Sequence, residues 1–185
     1  MTICIFPGTF NPIHIAHLRM AQFAVKKYGF EKIIFIPAYL PPHKEIDSNL
    51  AKHRYNMVKM AVEKNLRFSI SDIEYKSEGK SYTLITVKKI REQYGIDGRL
   101  NMIIGTDAFL NVKSWYKAEE LRDLVHFIVF PRNDDIINSE DYVGYSYELV
   151  DSQKFDISST EIRNEQKTED IKEIKEYIIK NELYN

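Results

Sequence analysis

Short β-branched runs alternate along the chain with longer segments of helical period. Residues 3–6 predict a first strand that runs into Pro7-Gly8. Residues 16–28 predict a helix with Leu18, Met20, Ala21, Ala24 and Val25 inward. Residues 32–37 hold Ile33, Ile34, Phe35 and Ile36, apolar at successive positions and so on both faces, as a strand covered on two sides requires. After a Pro-rich loop over 37–42, residues 50–64 predict a helix with Tyr55, Val58, Ala61 and Val62 inward. Residues 67–73, 100–104 and 125–130 predict strands, and 82–94 a helix. Residues 134–151 are acidic, Tyr-rich and without a firm period, which predicts a surface excursion. Residues 170–184 predict a polar helix with Ile171, Ile174, Ile178 and Leu183 as its apolar stripe.

This alternation defines an α/β domain around a mostly parallel sheet with helices on both faces. In such sheets ligands sit beyond the carboxyl ends of the strands, where the strand order reverses. The loops after Phe6, Ile36, Ile104 and Phe130 are therefore where chemistry is expected.

Composition narrows the field. A length of 185 residues suits one domain, and 44% hydrophobic residues supply a core. Lys plus Arg number 26 against 27 Asp plus Glu, a balance that argues against a strongly basic nucleic-acid binder and leaves room for a local cationic pocket. A single cysteine, Cys4, excludes an intramolecular disulfide framework and a cysteine-based zinc cluster. No apolar run nears the roughly 20 residues that span a bilayer. The first residues lack a basic stretch ahead of a long apolar one. A soluble cytoplasmic protein is expected, without nucleic-acid or membrane partners.

The loop after the first strand reads Phe6-Pro7-Gly8-Thr9-Phe10-Asn11-Pro12-Ile13-His14-Ile15-Ala16-His17. Gly8 permits a left-handed backbone or a close approach by a ligand. His14 and His17 stand three apart where a helix begins, so they share a face. A helix start offers unpaired N–H groups and partial positive charge to a phosphate. The same pair also suits half of a metal site, which needs a third ligand, or plain surface histidines. No Walker lysine follows Gly8, and the glycine spacing is not the dinucleotide fingerprint. A second segment reads Asp156-Ile157-Ser158-Ser159-Thr160-Glu161-Ile162-Arg163, with Ser158 or Ser159 as a helix cap. A capped helix accounts for it alone; hydroxyls and an arginine at a helix start also suit phosphates.

Gly8-Thr9-Phe10-Asn11-Pro12-Ile13-His14-Ile15-Ala16-His17 resembles the G-T-F-D/N-P-x-H-x-x-H signature of the nucleotidyltransferase superfamily, and residues 157–163 resemble its I-S-S-T-x-I-R signature. Pro41-Pro42-His43-Lys44, Ser81-Tyr82-Thr83, Gly105-Thr106-Asp107 and Trp115 are similar to landmarks of the bacterial nicotinate-nucleotide adenylyltransferase family. So are Tyr177-Ile178 and Leu183-Tyr184. Pro7, Asn11, Ala16 and Asn133-Asp134 depart from that family's usual Gly, Asp, Gly and Pro-Gly.

The resemblance implies a Rossmann-like nucleotidyltransferase fold, a single domain over 1–185 with 157–185 as a C-terminal helical subregion. It implies transfer of the adenylyl group of ATP to nicotinate mononucleotide, in NAD biosynthesis. His14, His17 and Arg163 would carry catalysis. Gly8, Thr9, Phe10, Gly105, Asp107, Arg132, Ile157, Ser158, Ser159 and Thr160 would complete the ATP site. Lys44, Tyr82, Thr83, Trp115 and Tyr116 would hold the mononucleotide, with Trp115 stacked on the pyridine ring. Mg2+ would arrive with ATP rather than in a protein cage. Another adenylyl- or cytidylyltransferase, such as phosphopantetheine adenylyltransferase, or a non-catalytic nucleotide-binding module, remains the alternative, and homo-oligomerisation stays open.

Overall fold

The computed structural model describes residues 2–42, 47–77, 79–132, 135–151, 159–164 and 171–184. Its strands are β1 (Ile3–Gly8), β2 (Lys32–Pro37), β3 (Phe68–Ile70), β4 (Leu100–Gly105), β5 (Val125–Phe130) and β6 (Ser146–Leu149). Its helices are α1 (Ile15–Tyr28), α2 (Leu50–Val62), α3 (Thr83–Tyr94), α4 (Thr106–Phe109), α5 (Ala118–Leu124), α6 (Ser159–Arg163) and α7 (Lys172–Lys180). Two 3₁₀ turns, Val112–Ser114 and Ser139–Tyr142, complete it.

The strands pair in parallel, in the order β3-β2-β1-β4-β5-β6. The chain starts in the middle, builds outward through β2 and β3, then returns to β4 and builds the other way. That reversal between β1 and β4 leaves a crevice at their carboxyl ends.

Strand β2 shows why the sheet is covered twice. Ile33 and Phe35 enter one core cluster while Ile34 and Ile36 enter the other. Burying each such side chain contributes about 1.5–3 kcal/mol. Helix α1 packs with Ala16, Met20, Ala21 and Ala24 buried; Leu18 and Val25 are only partly covered. Left-handed Gly29 ends it (φ 70°), where a residue without a Cβ is unstrained. Cys4 lies fully buried in β1, and burial pushes its thiol far above the ordinary range. It is therefore inert.

The structure corrects several expectations. The span 134–151 is not only a surface excursion, because β6 forms within it and pairs with β5. As an edge strand with Leu149 exposed, β6 lacks the two-sided apolar run that marks central strands. Strand β3 is only three residues long, against the predicted 67–73. On α2 the inward positions include Arg54 and Met57 beside Val58 and Val62, while Tyr55 is half-buried. Helix α7 stops at Lys180, and residues 181–184 form a turn that buries Leu183.

Candidate functional site

Neighbouring strands β1 and β4 end at Gly8 and Gly105. An open cavity of about 1130 Å³ covers these ends. Its walls come from the loops after β1, β2, β4 and β5, as the topology requires.

The first wall is the Gly8–His17 segment. A Cβ on Gly8 would lie 2.8 Å from the ring of Phe10, so the close approach at this glycine is made by Phe10 itself. Phe10 adopts a left-handed backbone (φ 48°) that buries its ring beside His17, 5.0 Å away edge-on. His14 is the N-cap of α1, and His17 is at the third helical position. The His14 backbone N–H donates to His17 Nδ1 at 3.2 Å. A ring that accepts at Nδ1 carries its proton on Nε2, so the neutral imidazole donates from Nε2. His17 lines the cavity. His14 does not project there with it: its ring is fully buried, stacked on His17 at 3.7 Å. The cap position, just outside the helix, turns it inward.

A second wall is α6. Ser159, Thr160 and Arg163 line the cavity and also hold the first wall in place. Ser159 Oγ donates to the Pro12 carbonyl at 2.8 Å, and Arg163 Nη1 donates to the Asn11 carbonyl at 2.5 Å. Arg163 Nη2 donates to Thr160 Oγ1 at 3.1 Å. The two sequence segments, 152 residues apart at Arg163–Asn11, are thus in direct contact. Ile157, Ser158 and Lys44 lie outside the described residues.

At the end of β4, Arg132 Nη1 pairs with Asp107 Oδ2 at 3.1 Å. Both border the cavity beside Gly105. A Cβ on Gly105 would meet Asp107 Oδ1 at 2.6 Å and Arg132 Cδ at 2.8 Å. This glycine therefore leaves room for the ion pair.

Opposite stands the start of α3. Ser81 Oγ accepts from the Tyr39 and Leu40 backbone N–H groups at 2.9 and 3.1 Å, and Ser81 N–H donates to the Leu40 carbonyl at 2.9 Å. The Pro-rich loop is thereby tied to the helix. Tyr82 is the N-cap, and Ile85 and Thr86 donate back to its carbonyl. The amides of Thr83 and Leu84 precede these first intrahelical bonds, at the end with partial positive charge. Tyr82, Thr83 and half-buried Trp115 line this side. Tyr116 is not among the residues that line the cavity; its ring packs at a tilt against that of Tyr82, at 4.5 Å between centroids.

Two buried charged residues were not singled out from the sequence. Arg54 is fully buried beneath the cavity. Its Nη1 donates to the carbonyls of Thr9 (2.9 Å) and Ala38 (2.5 Å), and its Nη2 to that of Tyr39 (3.0 Å). One side chain thus staples the loop after β1 to the loop after β2. Burial holds its pKa below the usual arginine value. Glu74 accepts from Thr86 Oγ1 at 2.7 Å, and burial raises its carboxyl pKa against the lowering effect of its donors and of Arg54. An arginine within the apolar stripe Ala51–Met57–Val58 was the available signal.

Among the described residues, no group of three or more His, Cys, Asp and Glu is arranged to hold a metal ion, and no helix is long and apolar enough to cross a membrane.

The fold and site define a nucleotidyltransferase-type α/β protein, and the chain belongs to the cytidylyltransferase-like family, whose model matches residues 5–165. Within it, the chain is 39% identical over 173 residues to a Fusobacterium nucleatum protein named "Probable nicotinate-nucleotide adenylyltransferase", covering 92% of this chain and 90% of that one. A Caldicellulosiruptor saccharolyticus protein of the same name is 37% identical, covering 100% of this chain and 99% of that one. The fold matches that of Plasmodium falciparum nicotinic acid mononucleotide adenylyltransferase complexed with NaAD, at a TM-score of 0.84 and 23% identity, over 99% of this chain and 97% of that one.

Proposed function

We propose that this protein transfers the adenylyl group of ATP to nicotinate mononucleotide, giving nicotinate adenine dinucleotide and pyrophosphate. The observation that carries this reading is the 37–39% identity, over nearly the full length, to proteins named "Probable nicotinate-nucleotide adenylyltransferase". It is supported by the direct contact of the His17 and Arg163 segments across one cavity.

The nucleophile is a phosphate oxygen of the mononucleotide, already anionic at neutral pH. No general base is required. The task is to align two polyanions and offset charge as the acceptor oxygen attacks the α-phosphorus and pyrophosphate leaves. His17 Nε2–H donates to the phosphate chain, with Gly8, Thr9 and Phe10 as the adjoining wall. Ser159, Thr160 and Arg163 face the departing β- and γ-phosphates. Asp107 accepts from the ribose hydroxyls beside Gly105, and Arg132 holds that carboxylate. Magnesium is part of the ATP substrate, bound by phosphate oxygens and water.

Gly105→Ala tests the ribose contact. The new methyl displaces the half-exposed Asp107–Arg132 pair, so KM for ATP should rise severalfold while thermal stability changes little. An unchanged KM for ATP counts against Asp107 in this role.

On the acceptor side, Trp115 stacks on the pyridine ring and Lys44 meets the mononucleotide phosphate. Of the Ser81-Tyr82-Thr83 backbone N–H groups, Ser81 and Tyr82 donate to the Leu40 and Lys80 carbonyls, so it is the Thr83 amide at the start of α3 that faces the nicotinate carboxylate. An anion at such a helix start gains about 0.3–2 kcal/mol. An amide sets donors against donors, at a cost of roughly 1–3 kcal/mol. Preference for the acid over the amide is therefore expected to be on the order of 10²-fold. The deciding experiment measures pyrophosphate release with ATP or CTP against nicotinate mononucleotide, nicotinamide mononucleotide and phosphopantetheine. Turnover is expected with ATP and the nicotinate substrate. Equal kcat/KM for acid and amide would make this a dual-specificity enzyme. Preference for CTP or phosphopantetheine would move it to another branch, and silence with every pair would leave a binding module.

A further inference from the structure

The turn after α7 reaches back to the loop after β1. Tyr184 Oη donates to Asn11 Oδ1 at 2.6 Å, across 173 residues of sequence. Leu183 is buried in the core next to it. Glu182 and Tyr184 both take left-handed backbone (φ 51° and 68°), a conformation that costs a non-glycine residue and persists where surrounding contacts hold it. Both Tyr184 and Asn11 line the cavity.

From this geometry we infer that Tyr184 is a positioning residue of the nucleotide site, acting through Asn11. Three donors from the distal part of the chain end on the same two residues. Tyr184 takes the Asn11 side-chain oxygen, Arg163 the Asn11 carbonyl and Ser159 the Pro12 carbonyl. Arg163 and Ser159 face phosphates in the proposed reaction, so their hold on this turn is shared with substrate. Tyr184 has a tighter commitment: its single proton is used on Asn11. With that oxygen taken, the Asn11 amide offers its N–H protons to the cavity, the chemistry a polyphosphate needs. Burial pushes the Tyr184 hydroxyl up to about 12, so it stays a donor throughout the neutral range.

This inference rests on the proposed ATP-dependent transfer, and the experiment separates the two. Steady-state kinetics would be run on the wild-type protein, Tyr184→Phe, Asn11→Ala and the double variant, with melting temperature recorded for each. Tyr184→Phe keeps the ring and removes one hydrogen bond. It should raise KM for ATP by about tenfold, equal to about 1.4 kcal/mol, and leave KM for the mononucleotide within about twofold. The double variant should be no worse than Asn11→Ala alone, because the two side chains act as one unit. An unchanged KM for ATP in Tyr184→Phe, an equal rise for both substrates, or additive effects in the double variant would each overturn the inference. A wild-type protein without transfer activity would overturn the underlying reaction instead. In that case calorimetric titration with ATP alone still tests the pair, and Tyr184→Phe should bind it about tenfold more weakly.

Discussion

His17→Ala is expected to lower kcat/KM by about 10²–10³-fold, the cost of losing one preorganised donor at the reacting group. The reason lies in the capping geometry. His17 Nδ1 accepts the His14 backbone N–H, which fixes both the ring orientation and the tautomer before any substrate binds. The Phe10 ring, edge-on at 5.0 Å, limits further rotation. A donor held this way does not reorganise as charge moves onto the phosphates. The same contact also supports the start of α1, so alanine should cost about 1 kcal/mol of stability as well. His17→Gln separates the two effects, because glutamine at the third helical position can accept the cap N–H. It should melt near the wild type and remain catalytically impaired. Near-normal turnover in both variants, with melting temperatures unchanged, would remove His17 from the mechanism. His14, buried behind it, should respond differently: His14→Ala leaves a cavity at the helix start, and its loss should track stability.

The contrast between these histidines shows where sequence reasoning stops. Spacing placed both on one face, and they do stack, but spacing could not say which of them the cap turns inward. The central strands were legible because β2 carries Ile33–Ile36 and β5 Phe127–Phe130 as short apolar runs, rich in β-branched and aromatic residues and too short for a buried helix. Edge strand β6 was not, since half of its surface stays wet and its residues read as a loop. The site was legible through its two local segments: Gly8, Thr9, Phe10, Asn11 and His17 of the first and Ser159, Thr160 and Arg163 of the second line one cavity. Arg54 was missed for a different reason: its partners are backbone carbonyls of Thr9, Ala38 and Tyr39, which carry no side-chain signature. Asn11–Tyr184 is a contact across 173 residues, and no periodicity encodes such a pairing.

Arg54→Met is expected to be the most destabilising single change in the site, by roughly 3–5 kcal/mol, the scale of removing one member of a buried charged network. Methionine fills most of the volume, so the loss is electrostatic rather than a cavity. Three carbonyls lose their donor, at about 1–3 kcal/mol for each that water does not reach. Glu74 loses its nearby cation as well. Arg54→Lys is the more informative variant for function. It keeps the charge, but an ammonium does not reproduce the planar fork that reaches Thr9, Ala38 and Tyr39 together. The loop carrying the phosphate-facing residues and the loop leading to the acceptor side then lose their common anchor. KM for ATP and KM for the mononucleotide should therefore rise together, and kcat should fall, because in-line attack depends on the distance between the two loops. This pattern differs from that of Tyr184→Phe, where only ATP should be affected. If Arg54→Lys shifts one KM alone, the staple is not what aligns the substrates. If Arg54→Met folds with wild-type stability, the buried guanidinium contributes nothing net, and the loops are held by the Ser81 hydrogen bonds instead.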